Sequence, residues 1–154
     1  MARILIVEDD EEIRELLAEA LRRWGHDPVL SANGQEGLAL YRADRFDLMV
    51  SDIRMPVMDG LTLLKTIRER DQKMPVVIVT AYPTVDSAVE SLGVGADHYL
   101  VKPINLDDLK AKVDKCLEKR LMQGETDRLR RLVHWQWVFL PVAAALGYAL
   151  ASWL

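Results

Sequence analysis

The chain has 154 residues, half of them hydrophobic and 29% charged, with a net charge of −4, which suits one ordinary domain with roughly thirty residues to spare. The acidic balance argues against nucleic acid as the main partner, because phosphate binding needs a basic face and the only basic cluster is Arg128, Arg130 and Arg131. A single cysteine, Cys116, excludes an internal disulfide framework, and MARILIV is too short and too soon acidic for a secretory signal, so the cytoplasm is the expected setting of the N-terminal part.

The first element is the run ILIV at 4–7, rich in β-branched residues and not alternating, which predicts a strand buried on both faces, as in a parallel sheet. Ile13, Leu16, Leu17, Ala20, Leu21 and Trp24 then recur at helical spacing and stop at Gly25, a residue that easily takes a left-handed conformation. PVLS at 28–31 is a weaker strand candidate, and 37–43 a second helix. DLMV at 47–50 is again a buried strand, followed by a helix over 61–67, with Asp59 capping it and Gly60 in the turn. VVIV at 76–79 is the fourth strand. The helix over 85–92 is short and weakly amphipathic, and so the element expected to move. HYLV at 98–101 is the fifth strand, and the helix over 106–121 puts Leu106, Leu109, Val113, Cys116, Leu117 and Leu121 on one side. Five strict strand-helix alternations with short connections predict an α/β fold, a doubly wound five-stranded parallel sheet joined by right-handed crossovers. Gly124, Glu125, Thr126 and Asp127 mark a linker. The chain is therefore divided into a domain over 1–122, a linker over 123–133 and a hydrophobic C-terminal helix over 134–154.

In an open parallel sheet, ligands gather beyond the C-terminal ends of the strands. Here those ends carry Glu8, Asp9 and Asp10 after ILIV, Asp52 after DLMVS, Thr80 after VVIV, and Lys102 with Pro103 after HYLV. Carboxylates from two strand ends would repel one another without a cation between them, and a hard, all-oxygen set favours Mg²⁺, with Asp9 and Asp52 as direct ligands. A lysine at the same edge makes sense when a further anion, such as a phosphoryl group on a carboxylate, must be neutralised beside the metal. Glu11 and Glu12 are read as favourable charges at a helix N-terminus, Asp10 as an extra solvated acid, and His98 as a strand residue without a chemical role.

VEDDEEIR, SDIRMPVMDG, VTAY and YLVKP, in this order and at these spacings, resemble the receiver domain of bacterial two-component response regulators, over residues 2–121. The resemblance implies the flavodoxin-like receiver fold and makes Asp52 the phosphoacceptor, attacking the phosphorus of a kinase phosphohistidine. It also implies Mg²⁺ held by Asp9, Asp52 and the backbone carbonyl of Arg54, with Glu8 acting through water. Lys102 would pair with the phosphoryl oxygens and Thr80 would move its hydroxyl onto another. Tyr99 would rotate into the space Thr80 leaves, changing the surface of the fourth helix, fifth strand and fifth helix. The Lys102–Pro103 bond would be cis. Arg54 and Tyr82 border the path of the hydrolytic water and are bulky, which implies a long-lived phosphoryl group. On this reading the chain is a signalling switch, with self-catalysed phosphotransfer and autodephosphorylation only, and its partners are a sensor histidine kinase or a phosphotransfer protein. Two alternatives stand beside it. One is a receiver-fold scaffold or dimerisation module with vestigial phosphorylation. The other is an aspartate-nucleophile phosphatase of the haloacid dehalogenase type, which wants a second Asp where Arg54 stands.

The residues after the domain are too few and too apolar for a helix-turn-helix reader, so no direct nucleic-acid binding is expected. WQWVFLPVAAALGYALASWL, residues 135–154, carries no charge and follows RLRR. Twenty helical residues reach about 30 Å, the hydrocarbon thickness of a bilayer. Trp135, Trp137 and Trp153 stand where an aromatic belt would lie, and the arginines would hold the entry on the cytoplasmic side of the inner membrane. Ala143, Gly147 and Ala151 form a small-residue stripe that suggests a homodimer. The alternative is a soluble cytoplasmic protein whose tail packs on the domain or in a dimer.

Overall fold

The computed structural model describes residues 1–126 and 130, and the expected membrane span over 135–154 lies outside the described residues. The chain divides into two compact units, Met1–Arg120 and Leu121–Leu154. In the first, strands β1 (Arg3–Val7), β2 (Asp27–Ser31), β3 (Leu48–Asp52), β4 (Val76–Thr80) and β5 (His98–Val101) alternate with helices α1 (Glu11–Arg23), α2 (Gly34–Ala43), α3 (Gly60–Arg68) and α4 (Val85–Val94), and a fifth helix, α5, begins at 106. All pairings are parallel, in the order β2-β1-β3-β4-β5. The α/β doubly wound sheet expected from the alternation is therefore the fold.

The apolar runs explain the layering. In β1, Ile4 and Ile6 face one core with Leu17 and Leu21 of α1 and Leu109, Val113 and Cys116 of α5, while Leu5 and Val7 face a second with Leu38 of α2 and Leu63, Leu64 and Ile67 of α3. A strand covered on both sides has no use for polar alternation. Each fully buried Leu or Ile stabilises the fold by roughly 1.5–3 kcal/mol relative to exposure. Cys116 is buried, and burial pushes its thiol up to about 11, as for an inert core residue.

The helix ends have identifiable causes. Asp10 caps α1, its carboxylate accepting from the Glu12 and Ile13 amides, so this acid has a structural role rather than being merely solvated. Asp59 caps α3 as expected, and Gly25 has φ 84°. Helix α2 starts three residues before its expected beginning, at Gly34, because Asn33 caps it and because Gly34 and Gly37 pack closely. A Cβ on Gly34 would lie 2.5 Å from the Met58 carbonyl oxygen. Leu121, expected on the buried side of the fifth helix, is 73% exposed. Residues 123–126, expected to open the linker, are helical, so Gly124 does not stop the helix there. Among the described residues, no helix is long and apolar enough to cross a membrane.

Candidate functional site

The C-terminal ends of β1, β3 and β4 and the start of the segment after β5 meet at one edge, as parallel register requires: Asp52 lies opposite Val79 and Thr80 opposite Val101. Asp52 closes β3 and is 6% exposed. Its Oδ1 accepts from the Ile53 amide at 2.5 Å and the Arg54 amide at 3.3 Å, and its Oδ2 accepts from Lys102 Nζ at 2.7 Å. Lys102 Nζ also donates to Glu8 Oε1 at 3.0 Å, so one ammonium joins the β1 and β3 carboxylates. Arg14 of α1 fixes the backbone beneath them, its Nη1 donating to the carbonyls of Glu8 at 2.8 Å and Asp9 at 3.3 Å. The Lys102–Pro103 peptide is cis, as expected.

Electrostatics follow from this packing. Burial pushes the Glu8 carboxyl above the usual carboxylate range, against the lowering effect of its hydrogen bond from Lys102. Burial also disfavours the Lys102 ammonium, but its hydrogen bonds to Asp52 and Glu8 outweigh that and hold it above its ordinary value. Glu8, Asp9 and Asp52 each bring a carboxylate oxygen within 4.8 Å of the others. Three carboxylates against one ammonium leave two negative charges, which a divalent cation balances. The donor set is all oxygen and hard, which fits Mg²⁺ rather than a softer metal. A shallow cleft of about 500 Å³, lined by Asp9, Ile53, Arg54, Met55, Pro56, Asp59 and Leu61, opens beside these acids.

Thr80 is fully buried at the end of β4, its Oγ1 accepting from the Tyr82 amide at 3.2 Å. Tyr99 on β5 is half-buried and packs against the α2 and α3 side of the sheet. The guanidinium of Arg54 stacks over the Tyr82 ring at 4.6 Å, joining the loop after β3 to the loop after β4. Glu8, Asp9, Asp52, Thr80, Lys102 and Arg54 thus come to one edge, with Tyr99 on the neighbouring strand. His98 is half-buried in β5, and burial lowers its pKa.

Several residues that shape the site carry no signal in the sequence. Gly60 passes so close to β3 that a Cβ there would overlap the Asp52 carbonyl oxygen and lie 2.9 Å from Ser51 Oγ. Val57 has φ 70°, with the Met58 amide donating to the Pro56 carbonyl at 2.8 Å, a γ-turn of the left-handed kind. Ser87 bonds to Tyr99 across 12 positions. Of these, Gly60 alone was marked in the sequence, as a turn glycine directly after a capping acid, without its close approach to Asp52.

Known proteins resemble this chain in sequence and fold. A family model described as Response regulator receiver domain matches residues 4–114. Regulatory protein AtoC of Escherichia coli K12 is 38% identical over 137 residues, 88% of this chain and 30% of that protein. Transcriptional regulatory protein ZraR of the same organism is 42% identical over 114 residues, 74% of this chain and 26% of that protein. The chain thus spans less than a third of the length of these relatives. Among solved structures, response regulator protein TrrA from Thermotoga maritima, in complex with Mg(2+)-BeF, superposes with a TM-score of 0.70 at 39% identity, covering 76% of this chain and all of that one. A CheY-like receiver domain protein from Methanospirillum hungatei gives a TM-score of 0.77 at 35% identity, covering 80% of this chain and 99% of that one.

Proposed function

The chain belongs to the response regulator receiver domain family, and from that premise we propose that it is a phosphorylatable switch of a two-component system. Asp52 takes a phosphoryl group from the phosphohistidine of a sensor histidine kinase or a phosphotransfer protein. The observation that carries this reading is the Lys102 bridge, 2.7 Å from Asp52 Oδ2 and 3.0 Å from Glu8 Oε1, in a buried acidic cluster at the sheet edge.

A carboxylate oxygen of Asp52 attacks phosphorus, a P–O bond forms, the P–N bond to the imidazole breaks, and the imidazole nitrogen takes the electron pair. The Ile53 and Arg54 amides and the Lys102 ammonium hold the carboxylate in one orientation before reaction, so little reorganisation is needed. Asp9, Asp52 and the Arg54 carbonyl are the proposed ligands of Mg²⁺, with Glu8 acting through water, and the bound ion supplies positive charge for the transferred group. That TrrA was solved with Mg(2+)-BeF supports both the metal and a phosphoryl-sized anion beside it. Lys102 then turns from Asp52 to the phosphoryl oxygens, Thr80 donates its hydroxyl to another, and Tyr99 takes the space Thr80 leaves. The local charge event thereby biases a two-state element.

The output proposed is protein contact. The net charge of −4 supports that over nucleic acid. One relative, NtrC of Salmonella typhimurium, is named a DNA-binding transcriptional regulator, and the match spans 24% of it. Anchoring of residues 135–154 in a membrane, with a homodimer along Ala143, Gly147 and Ala151, is proposed from the sequence alone.

The test is phosphorylation of the full chain by acetyl phosphate with Mg²⁺, read by intact mass. The expected result is one phosphoryl group, absent without Mg²⁺ and in Asp52→Ala. Incorporation that survives Asp52→Ala would overturn the assignment, and steady turnover of a phosphomonoester would favour the phosphatase alternative.

A further inference from the structure

Arg14 follows the most acidic stretch of the chain, EDDEE at 8–12, yet among the described residues it forms no ion pair. Its guanidinium donates instead to two neutral groups, from Nη1 to the carbonyls of Glu8 at 2.8 Å and Asp9 at 3.3 Å. A helical side chain leans toward the N-terminus of its helix, which brings Arg14 back over the connection between β1 and α1. Among the described residues, neither carbonyl has another donor.

Those two carbonyls belong to the peptide planes on either side of the Asp9 α-carbon. A peptide unit is rigid, so holding both planes fixes the backbone angles of Asp9 and with them the direction of its Cα–Cβ bond. Asp9 depends on this more than its neighbours do. Asp52 is held by two amides and Lys102, and Glu8 is buried and held by Lys102. The Asp9 side chain is exposed and, among the described residues, accepts no hydrogen bond. Its aim is therefore set through the backbone, and Arg14 is what grips that backbone on both sides.

We propose that Arg14 is a positioning residue for the metal, aiming the Asp9 carboxylate at the site it shares with Glu8 and Asp52 by holding both peptide planes that flank it. The proposal rests on the reading of these three acids as a Mg²⁺ site. Charge alone would act the other way. A guanidinium close to the acids repels a divalent cation, so an Arg14 that contributed only charge would weaken Mg²⁺ binding, and its removal would tighten it. An Arg14 that positions Asp9 strengthens binding, and its removal weakens it. The sign of the change separates the two roles.

The experiment is a titration of the full chain with Mg²⁺ alone, followed by the amide resonances of 8–10 and 52–54, in wild type, Arg14→Lys and Arg14→Ala. Loss of a group that orients a metal ligand typically costs about tenfold to a hundredfold in metal affinity. Arg14→Ala is expected to weaken Mg²⁺ binding by about tenfold or more, and Arg14→Lys, which keeps the charge and a donor, by less. Phosphorylation by acetyl phosphate should slow in Arg14→Ala at limiting Mg²⁺ and return to the wild-type rate at saturating Mg²⁺, a rescue that a damaged fold would not show. Equal or tighter Mg²⁺ binding in Arg14→Ala, or slow phosphorylation that excess Mg²⁺ does not relieve, would overturn the positioning role and leave the metal site standing. A wild-type chain that binds no Mg²⁺ would overturn the metal reading, and the role of Arg14 with it.

Discussion

Val57 is the one described non-glycine residue at positive φ, 70°, and it is both β-branched and 81% exposed. Such a backbone costs about 1–3 kcal/mol, and no packing of its side chain offsets that. The turn persists because the next residues are fastened elsewhere: Met58 presents its carbonyl to the Gly34 amide at 3.1 Å, and Gly60 lies against Asp52. Strain at one residue is thus tied to the seating of the loop that lines the acidic edge. Glycine would adopt the same φ freely, at the cost of about 0.4–1 kcal/mol in unfolded-chain freedom. Val57→Gly is therefore expected to stabilise the protein by about 1 kcal/mol. Urea unfolding checks this, since the midpoint should rise with an unchanged slope; a lower midpoint would show that the Val57 side chain contributes more than its exposure allows.

Among the elements, the loops after β3 and β4 matter most, because the Arg54–Tyr82 stack closes one against the other. A cation–π contact at an exposed site contributes about 0.5–1 kcal/mol, or about twofold to fivefold in the population of the closed pair. Replacing both Arg54 and Tyr82 by Ala is expected to shorten the phospho-Asp52 half-life several-fold, measured as loss of the phosphorylated mass after the phosphodonor is removed. An unchanged half-life would mean that the stack does not obstruct water. Such contacts mark the limit of what the sequence discloses. The five strands were legible because runs such as VVIV fit only a surface covered on both sides, and the acids and Lys102 were legible because parallel strands end at one edge. The start of α2 was not, since Gly34 looks like a breaker until its crowding against Met58 is seen. Gly124 misled in the same way, being accommodated in a helix despite its propensity. The Ser87–Tyr99 pair depends on how an edge helix rests on its neighbouring strand, which no local pattern encodes.

At the scale of the whole molecule, the acidic edge belongs to Met1–Arg120, and the uncharged stretch 135–154 belongs to the other unit. A membrane anchor there predicts that the full chain sediments with membranes and resists high salt, while a chain ending at Met122 stays in the supernatant. Fractionation of cells expressing either form decides this, and release of the full chain by salt alone would remove the anchor. The strand order has a consequence for distance. Asp52 closes β3, Thr80 closes β4 and Tyr99 lies on β5, which has a single neighbour in the sheet. Two inter-strand steps amount to about 10 Å. On the proposed function, news of a chemical event at Asp52 would travel sideways, across the rungs of the ladder rather than along any strand, to a margin where nothing further in the sheet must be rearranged. On that proposal the β1–β3 half carries the reacting carboxylates as the bench, and the β4–β5 half, with Thr80, Tyr99 and the Lys102 that follows it, is the moving part.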